Sequence, residues 1–233
     1  MTGQDTLVAR LSRAVRAFGE DHPLTWRACH AINDLLGADG ASIAIENSSV
    51  ARVTLCATDK TAGLLENLQD VLEEGPCRDA FASGCPNQTV LDRGAAARWP
   101  HFAPAAEKVV GPNGVLWSIP MRAGGTVIGA ISLHRLAPGP LAVPTGDAQV
   151  LADAVAAMLL RDPLAFTAFS RPGEGGWSAR SLVQQAAGVV AGQLQISIGD
   201  ALAILRSYAF TTESQLRDVA RSVVDRTLDL SGS

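Results

Sequence analysis

The chain has 233 residues, 47% of them hydrophobic and 18% charged, and a formal net charge of −4. That length exceeds one minimal domain and suits two, and the composition excludes a disordered chain. The acidic balance excludes a surface coated by nucleic acid through bulk charge, so any such site must be local.

Leu7, Leu11, Val15 and Phe18 recur at helical spacing, which predicts a first amphipathic helix over 5–19. The segment from Met1 to Arg13 has no continuous apolar run or cleavage site, so no signal peptide is expected. Pro23 then stands near the start of a second helix that Gly37 stops after Leu36. Ala41–Glu46 and Arg52–Ala57 alternate apolar and polar residues around Asn47-Ser48-Ser49, the pattern of a hairpin. Ala62–Leu72 returns to the helical period, with Leu65, Leu68 and Leu72 on one face. A short strand near Thr89–Leu91 follows, then the strands Gly114–Met121 and Thr126–His134, joined through Gly124-Gly125.

Thr145 is placed as the cap of the next helix, whose buried side is Val150, Leu151, Ala154, Val155 and Met158. Asp153 interrupts its apolar stretch, which is too short to cross a bilayer, so no membrane contact is expected and the protein is assigned to the cytoplasm. The order implies an α+β arrangement, an antiparallel sheet with helices packed on one face.

Pro172, Gly173, Gly175 and Gly176 break the pattern, and a linker is placed at 163–177 between domains at 1–162 and 178–233. Three helical segments and no strand follow. Ser197 with Asp200, and Thr212 with Gln215, read as two successive helix starts of the capping-box kind. The helical faces are Leu182, Val183, Ala186, Val189 and Val190, then Ala201, Leu202, Leu205, Tyr208 and Ala209, then Leu216, Val219, Ala220, Val223 and Val224.

Cys29, Cys56, Cys77 and Cys85 form no C-x-x-C pair, and His22, His30, His101 and His134 do not supply zinc spacing. No metal site is predicted. Cys77 follows a Gly-Pro turn, at the start of a short helix whose dipole favours a thiolate. It is a candidate redox sensor with Cys85 as resolving partner, against the simpler reading of a half-buried structural cysteine. No catalytic triad, phosphate loop or paired carboxylate points to an enzyme.

In the last segment, Gln185-Ala186-x-Gly188-Val189, then Ser197 through Ala201-Leu202-x-x-Leu205-Arg206-x-Tyr208-Ala209, then Leu216-Arg217-Asp218-Val219-Ala220 resemble the ANTAR family. The resemblance implies a three-helix module that binds RNA hairpins in nascent transcripts, prevents terminator formation, and works as a dimer under an attached sensor. The preceding part resembles the GAF domains that accompany ANTAR modules in actinobacterial regulators. The residues are Leu68-Gln69 through Glu74-Gly75-Pro76-Cys77-x-Asp79-Ala80, Asp92, Arg98-Trp99-Pro100-x-Phe102, Ser118-Ile119-Pro120-Met121, and Gly129-Ala130-Ile131-x-Leu133. That resemblance implies an unidentified small-molecule ligand and names no cofactor.

The chain departs from the ANTAR pattern at Ala187, where many members carry lysine, and in the uncharged turn Ala191-Gly192-Gln193. The arginines and carboxylates of 178–233 balance to zero. RNA contacts are assigned to Arg180, Arg206, Arg217 and Arg221, with Tyr208 as a stacking surface or a packed residue with an outward hydroxyl. Arg217 and Arg221 lie four apart on one helix face, where Asp218 and Asp225 can silence them. Trp99 and Phe102 either line a ligand pocket or cap the core. His101, placed in a loop between strands, either meets a haem or polar ligand or is a surface histidine. Two rival functions remain: a signalling module whose carboxy-terminal helices dock a protein, and a GAF-type free methionine sulfoxide reductase using Cys77 and Cys85.

Overall fold

A computed structural model describes residues 3–47, 50–162, 176–212 and 214–230, with backbone alone for 47, 50, 51 and 176–181. The chain divides into two compact units, Met1–Phe166 and Thr167–Ser233.

The first unit runs α1 (Gly3–Ala17), α2 (Leu24–Leu36), β1 (Gly40–Asn47), β2 (Val50–Ala57), α3 (Lys60–Leu72), α4 (Pro76–Ser83), β3 (Asn87–Val90), α5 (Arg93–Arg98), α6 (Phe102–Val110), β4 (Val115–Ala123), β5 (Thr126–Arg135) and α7 (Thr145–Arg161). The five strands pair antiparallel in the order β2-β1-β5-β4-β3. Residues 48 and 49, the tip expected between β1 and β2, lie outside the described residues. Gly124 and Gly125 turn β4 into β5 with φ of 57° and 83°, the left-handed pair that matches strand twist.

Strand alternation divides the sheet. Ala41, Ile43, Trp117, Ile119, Ile131 and Leu133 pack with Leu11 and Val15 of α1, Ile32 and Leu36 of α2, and Leu151, Val155 and Leu159 of α7. The opposite side meets a second cluster, in which Leu65 of α3 packs with Trp99 and with Phe102, Ala106 and Val110 of α6. Helices therefore cover both faces, not one. The intervening helices α5 and α6 are short and alanine-rich, which kept them out of the periodicity.

Thr145 is the first residue of α7, and Pro144 precedes it as the cap without a side-chain bond, so the expected threonine cap is absent. Asp153 within α7 has a structural task. Its Oδ1 accepts from the Arg122 backbone N–H at 3.0 Å and from Gln149 Nε2 at 2.8 Å, beside the register shift in β4.

The second unit holds α8 (Gly176–Leu194), α9 (Ile198–Thr211) and α10 (Leu216–Val224). Its core is Ala186, Ala187 and Val190, then Ala201, Leu205 and Ala209, then Val219, Ala220 and Val223. Four of the alanines, 186, 201, 209 and 220, are buried to within 1% exposure, so they serve close helix packing. Ser197 caps α9 by accepting from the Asp200 N–H at 3.1 Å. Thr212 does the opposite of what its spacing implies. It ends α9, its Oγ1 donating to Tyr208 O at 2.7 Å, and α10 begins after Gln215 with no side-chain cap.

Candidate functional site

In the first unit, Ser42 of β1 opposes Ser132 of β5, which opposes Ser118 of β4. Opposed residues share a face, so the three hydroxyls form one row across the sheet. Ser42 Oγ donates to Glu66 Oε1 at 2.6 Å. The Ser118 and Ser132 hydroxyls are buried with no partner among the described residues. With Gln69, Phe102 and His134 these serines line a cavity of about 10 Å³. That volume suits one water, and the two hydroxyls supply partners for it. Burial pushes the His134 imidazole below its ordinary pKa of 6.5, against the pull of Asp59 and Asp39.

Beside the row, Arg52 of β2 pairs with Glu66 and Asp70 of α3. Its Nη2 lies 3.3 Å from Cys77 Sγ. Burial pushes the guanidinium pKa down, but Cys77 and Asp70 push it up by more, so Arg52 stays charged. Cys77 does open α4, as its Gly-Pro turn implies, and its N–H donates to Gln69 Oε1 at 2.8 Å. It is 2% exposed, whereas Cys85 is exposed beyond the far end of α4. Six residues of α4, 78–83, lie between them, a rise of ~9 Å from Cys77 to the helix end, against the about 7 Å between Cα atoms that a disulfide allows. The resolving partnership expected of Cys85 is therefore corrected, and with it the thiol pair of the reductase reading.

Several of the residues that resembled a sensor motif prove to be braces. Glu74 Oε2 accepts from the backbone N–H groups of His101 (3.0 Å) and Phe102 (3.1 Å), capping α6 from a distance in sequence. Gly75 holds φ 129°, and a Cβ there would stand 2.6 Å from Gln69 Oε1. Asp92 Oδ1 caps α5 at Gly94 and Ala95. Asp79 pairs with Arg98 at 2.6 Å, and Arg98 lies 4.9 Å over the Trp99 ring.

Trp99 and Phe102 separate in role. Phe102 is fully buried and lines the cavity, while Trp99 packs behind it edge-on, with ring centroids 6.2 Å apart. His101 is exposed as the N-cap of α6, in the connection between β3 and β4 where the sequence put it, and does not line this cavity.

In the second unit Arg217 and Arg221 are both exposed on α10, one turn apart. Arg217 Nε stands 3.6 Å from Asp218 Oδ1, with the two side chains 63% and 60% exposed. Such a pair in water is worth under about 1 kcal/mol and does not withhold Arg217 from a stronger anion. Asp225 closes α10 as its exposed C-cap. Arg206 and Tyr208 are half-buried on α9 and, two residues apart, face different sides of it. Arg180 belongs to α8, and its side chain lies outside the described residues.

Phe210, 44% exposed one turn beyond Arg206, was not anticipated, because it falls outside the apolar face that periodicity traces. Ala187 is fully buried, so this position packs between helices rather than facing solvent. Among the described residues, no group of three or more His, Cys, Asp or Glu is arranged to hold a metal. No single helix among them is long and apolar enough to cross a membrane.

Residues 177–224 match the ANTAR domain. No curated protein matches the chain. Among solved structures, the chain is similar to the GAF domain of A. aeolicus nlh2 in an inactive state (13% identity, TM-score 0.44, covering 68% of this chain and 97% of that one). It is also similar to the GAF domain of a phosphoenolpyruvate-protein phosphotransferase from Coxiella burnetii (14% identity, TM-score 0.47, 67% and 92%). A third is the domain of a sensor histidine kinase protein from Sinorhizobium meliloti (20% identity, TM-score 0.40, 57% and 85%).

Proposed function

From a chain that carries an ANTAR domain at residues 177–224, we propose an RNA-binding transcription antitermination regulator. Its amino-terminal GAF-like unit senses a small molecule or a redox change, and its carboxy-terminal helices take an RNA hairpin in a nascent transcript. The working form is a cytoplasmic homodimer without catalytic activity. The observation that carries the reading is the pair of exposed guanidinium groups, Arg217 and Arg221, one turn apart on α10. Adjacent exposed arginines suit successive phosphates, and guanidinium or aromatic planes suit unstacked loop bases. Arg206, Tyr208 and the exposed Phe210 of α9 supply such planes, and Arg180 adds a charge.

The zero net charge of 178–233 limits how much phosphates alone contribute. Affinity should fall with salt by a log–log slope of about 0.7 to 0.9 per phosphate contacted, hence a total of only a few. A second reading has support of its own. Val189, Ile198 and Phe210 are large apolar side chains exposed in this unit, which favours docking of a protein on a neutral module.

Sequencing of RNA retained by the purified full-length chain, followed by titration of the enriched hairpin, separates the two. Arg217→Glu with Arg221→Glu should abolish retention if α10 reads RNA. Unchanged retention by that variant, or no hairpin enriched by the parent chain, defeats the RNA reading and leaves the protein-docking one.

A further inference from the structure

Two thiols outside both sites are set against each other. Cys29 projects from α2 and is fully buried, while Cys56 projects from β2 and is half-buried. Cys29 Sγ lies 3.6 Å from Ala41 O and 3.9 Å from Cys56 O, and both side chains pack in the same apolar cluster between α2 and the sheet. Of the two, only Cys56 keeps contact with solvent, so an oxidant meets it first. Donation from the Cys29 thiol lowers the Cys56 pKa below the ordinary thiol range. The same contact, together with burial, raises that of Cys29. One sulfur is thus accessible and acidic, and the other is held in reserve behind it.

We propose that Cys29 and Cys56 form a reversible disulfide that clips α2 to β2 when the protein meets a hydroperoxide. The Cys56 thiolate attacks the terminal peroxide oxygen and the O–O bond breaks. The alcohol departs with a proton from solvent, leaving a sulfenic acid on Cys56. The Cys29 sulfur then attacks the Cys56 sulfur. The S–O bond breaks, and water leaves carrying the Cys29 proton. The two thiols together lose two electrons and two protons, and the hydroperoxide is reduced to alcohol and water. An exogenous dithiol reverses the change by exchange.

The placement gives the bond a physical consequence. α2 packs in one core with α1 and α7, so fixing it to β2 ties that helical layer to the sheet. The bond also closes a loop between residues 27 apart in sequence, which removes conformations from the unfolded chain. The inference concerns the first unit alone and deepens the redox side of the sensing proposal. Its readout is chemical, so it stands or falls separately from RNA binding.

The test is titration of the full reduced chain with hydrogen peroxide, followed by alkylation of remaining thiols, proteolysis without reductant and mass spectrometry. A peptide pair joined through Cys29 and Cys56 should accumulate and disappear on addition of dithiothreitol. Cys56→Ala should lose that species, and Cys29→Ala should leave a Cys56 sulfenic acid that dimedone traps. If Cys29→Ala fails to fold, the parent chain and the Cys56→Ala variant still decide the matter. A peroxide dose that oxidises the exposed Cys85 while both Cys29 and Cys56 remain alkylatable overturns the proposal. So does a Cys56 sulfinic acid formed beside a free Cys29.

Discussion

Arg52 is the keystone of the polar side of the sheet, and its removal has a calculable effect. Its side chain is 4% exposed and its partner Glu66 2%, whereas Asp70 is 30% exposed. Arg52→Met keeps most of the aliphatic stem and deletes the charge. Asp70 can rehydrate, but Glu66 is left with the single bond from Ser42 Oγ. Breaking a buried ion pair from one side costs about 3–5 kcal/mol, because the surviving charge has lost its counter-charge and cannot reach water. For a unit of this size that is a fall in melting temperature of roughly 6–20 °C. Replacing Glu66 as well removes the stranded charge while an amide oxygen still accepts from Ser42. The double variant Arg52→Met with Glu66→Gln should therefore recover most of the loss. Urea unfolding of the full chain, followed by tryptophan fluorescence, to which Trp26, Trp99 and Trp117 of this unit contribute, measures both. A single variant that costs less than about 1 kcal/mol, or a double variant no better than the single, refutes the account of Arg52 as the charge that holds Glu66 in place.

Two further outcomes follow from the same layer. Gly75→Ala should destabilise by about 1–3 kcal/mol, because φ 129° is glycine territory and the new Cβ meets Gln69 Oε1; the same urea titration checks it, and a neutral result would mean that the turn relaxes freely. His134, whose pKa lies below the unfolded value of 6.5, binds its proton later than the unfolded chain does as pH falls. Stability should then be full above about pH 7 and decline as pH drops through 6.5 towards the folded pKa, a slope that His134→Asn removes from the stability–pH curve.

What the sequence disclosed followed local physics. The alternation of 41–46 and 52–57, the Gly124-Gly125 turn and the Ser197 cap are set by neighbours within a few residues, and each stands where the pattern put it. Thr212 did not, because threonine at i+4 satisfies a helix-end carbonyl as readily as it starts a new helix, and only the end of α9 decides between them. The cap of α6 comes from Glu74, 27 residues before His101, a bond no window reading can see. Cys29 and Cys56 meet the same barrier, since a helix and a strand bring them together without any motif spacing. For Cys77 and Cys85 the opposite error arose: their short separation in sequence suggested contact, but the intervening helix holds them apart.

Several residues of the sensor resemblance hold helices in three dimensions. Gln69 anchors the start of α4, Asp92 that of α5 and Glu74 that of α6. Replacing any of them would loosen the layer over the polar sheet face, and lost sensing in such a variant would report stability instead of recognition. The groups free of that duty are the Ser118 and Ser132 hydroxyls, aligned across β4 and β5 and pointing into the cavity beneath Phe102. Serine to alanine there removes a donor and acceptor that no cap requires, at almost constant volume. A response lost in Ser132→Ala with an unchanged melting temperature therefore belongs to the signal, whereas the same loss in Glu74→Ala does not distinguish the two. Those two hydroxyls, in a cavity of about 10 Å³ that suits one water, are therefore the place where a lost response can be told apart from lost stability.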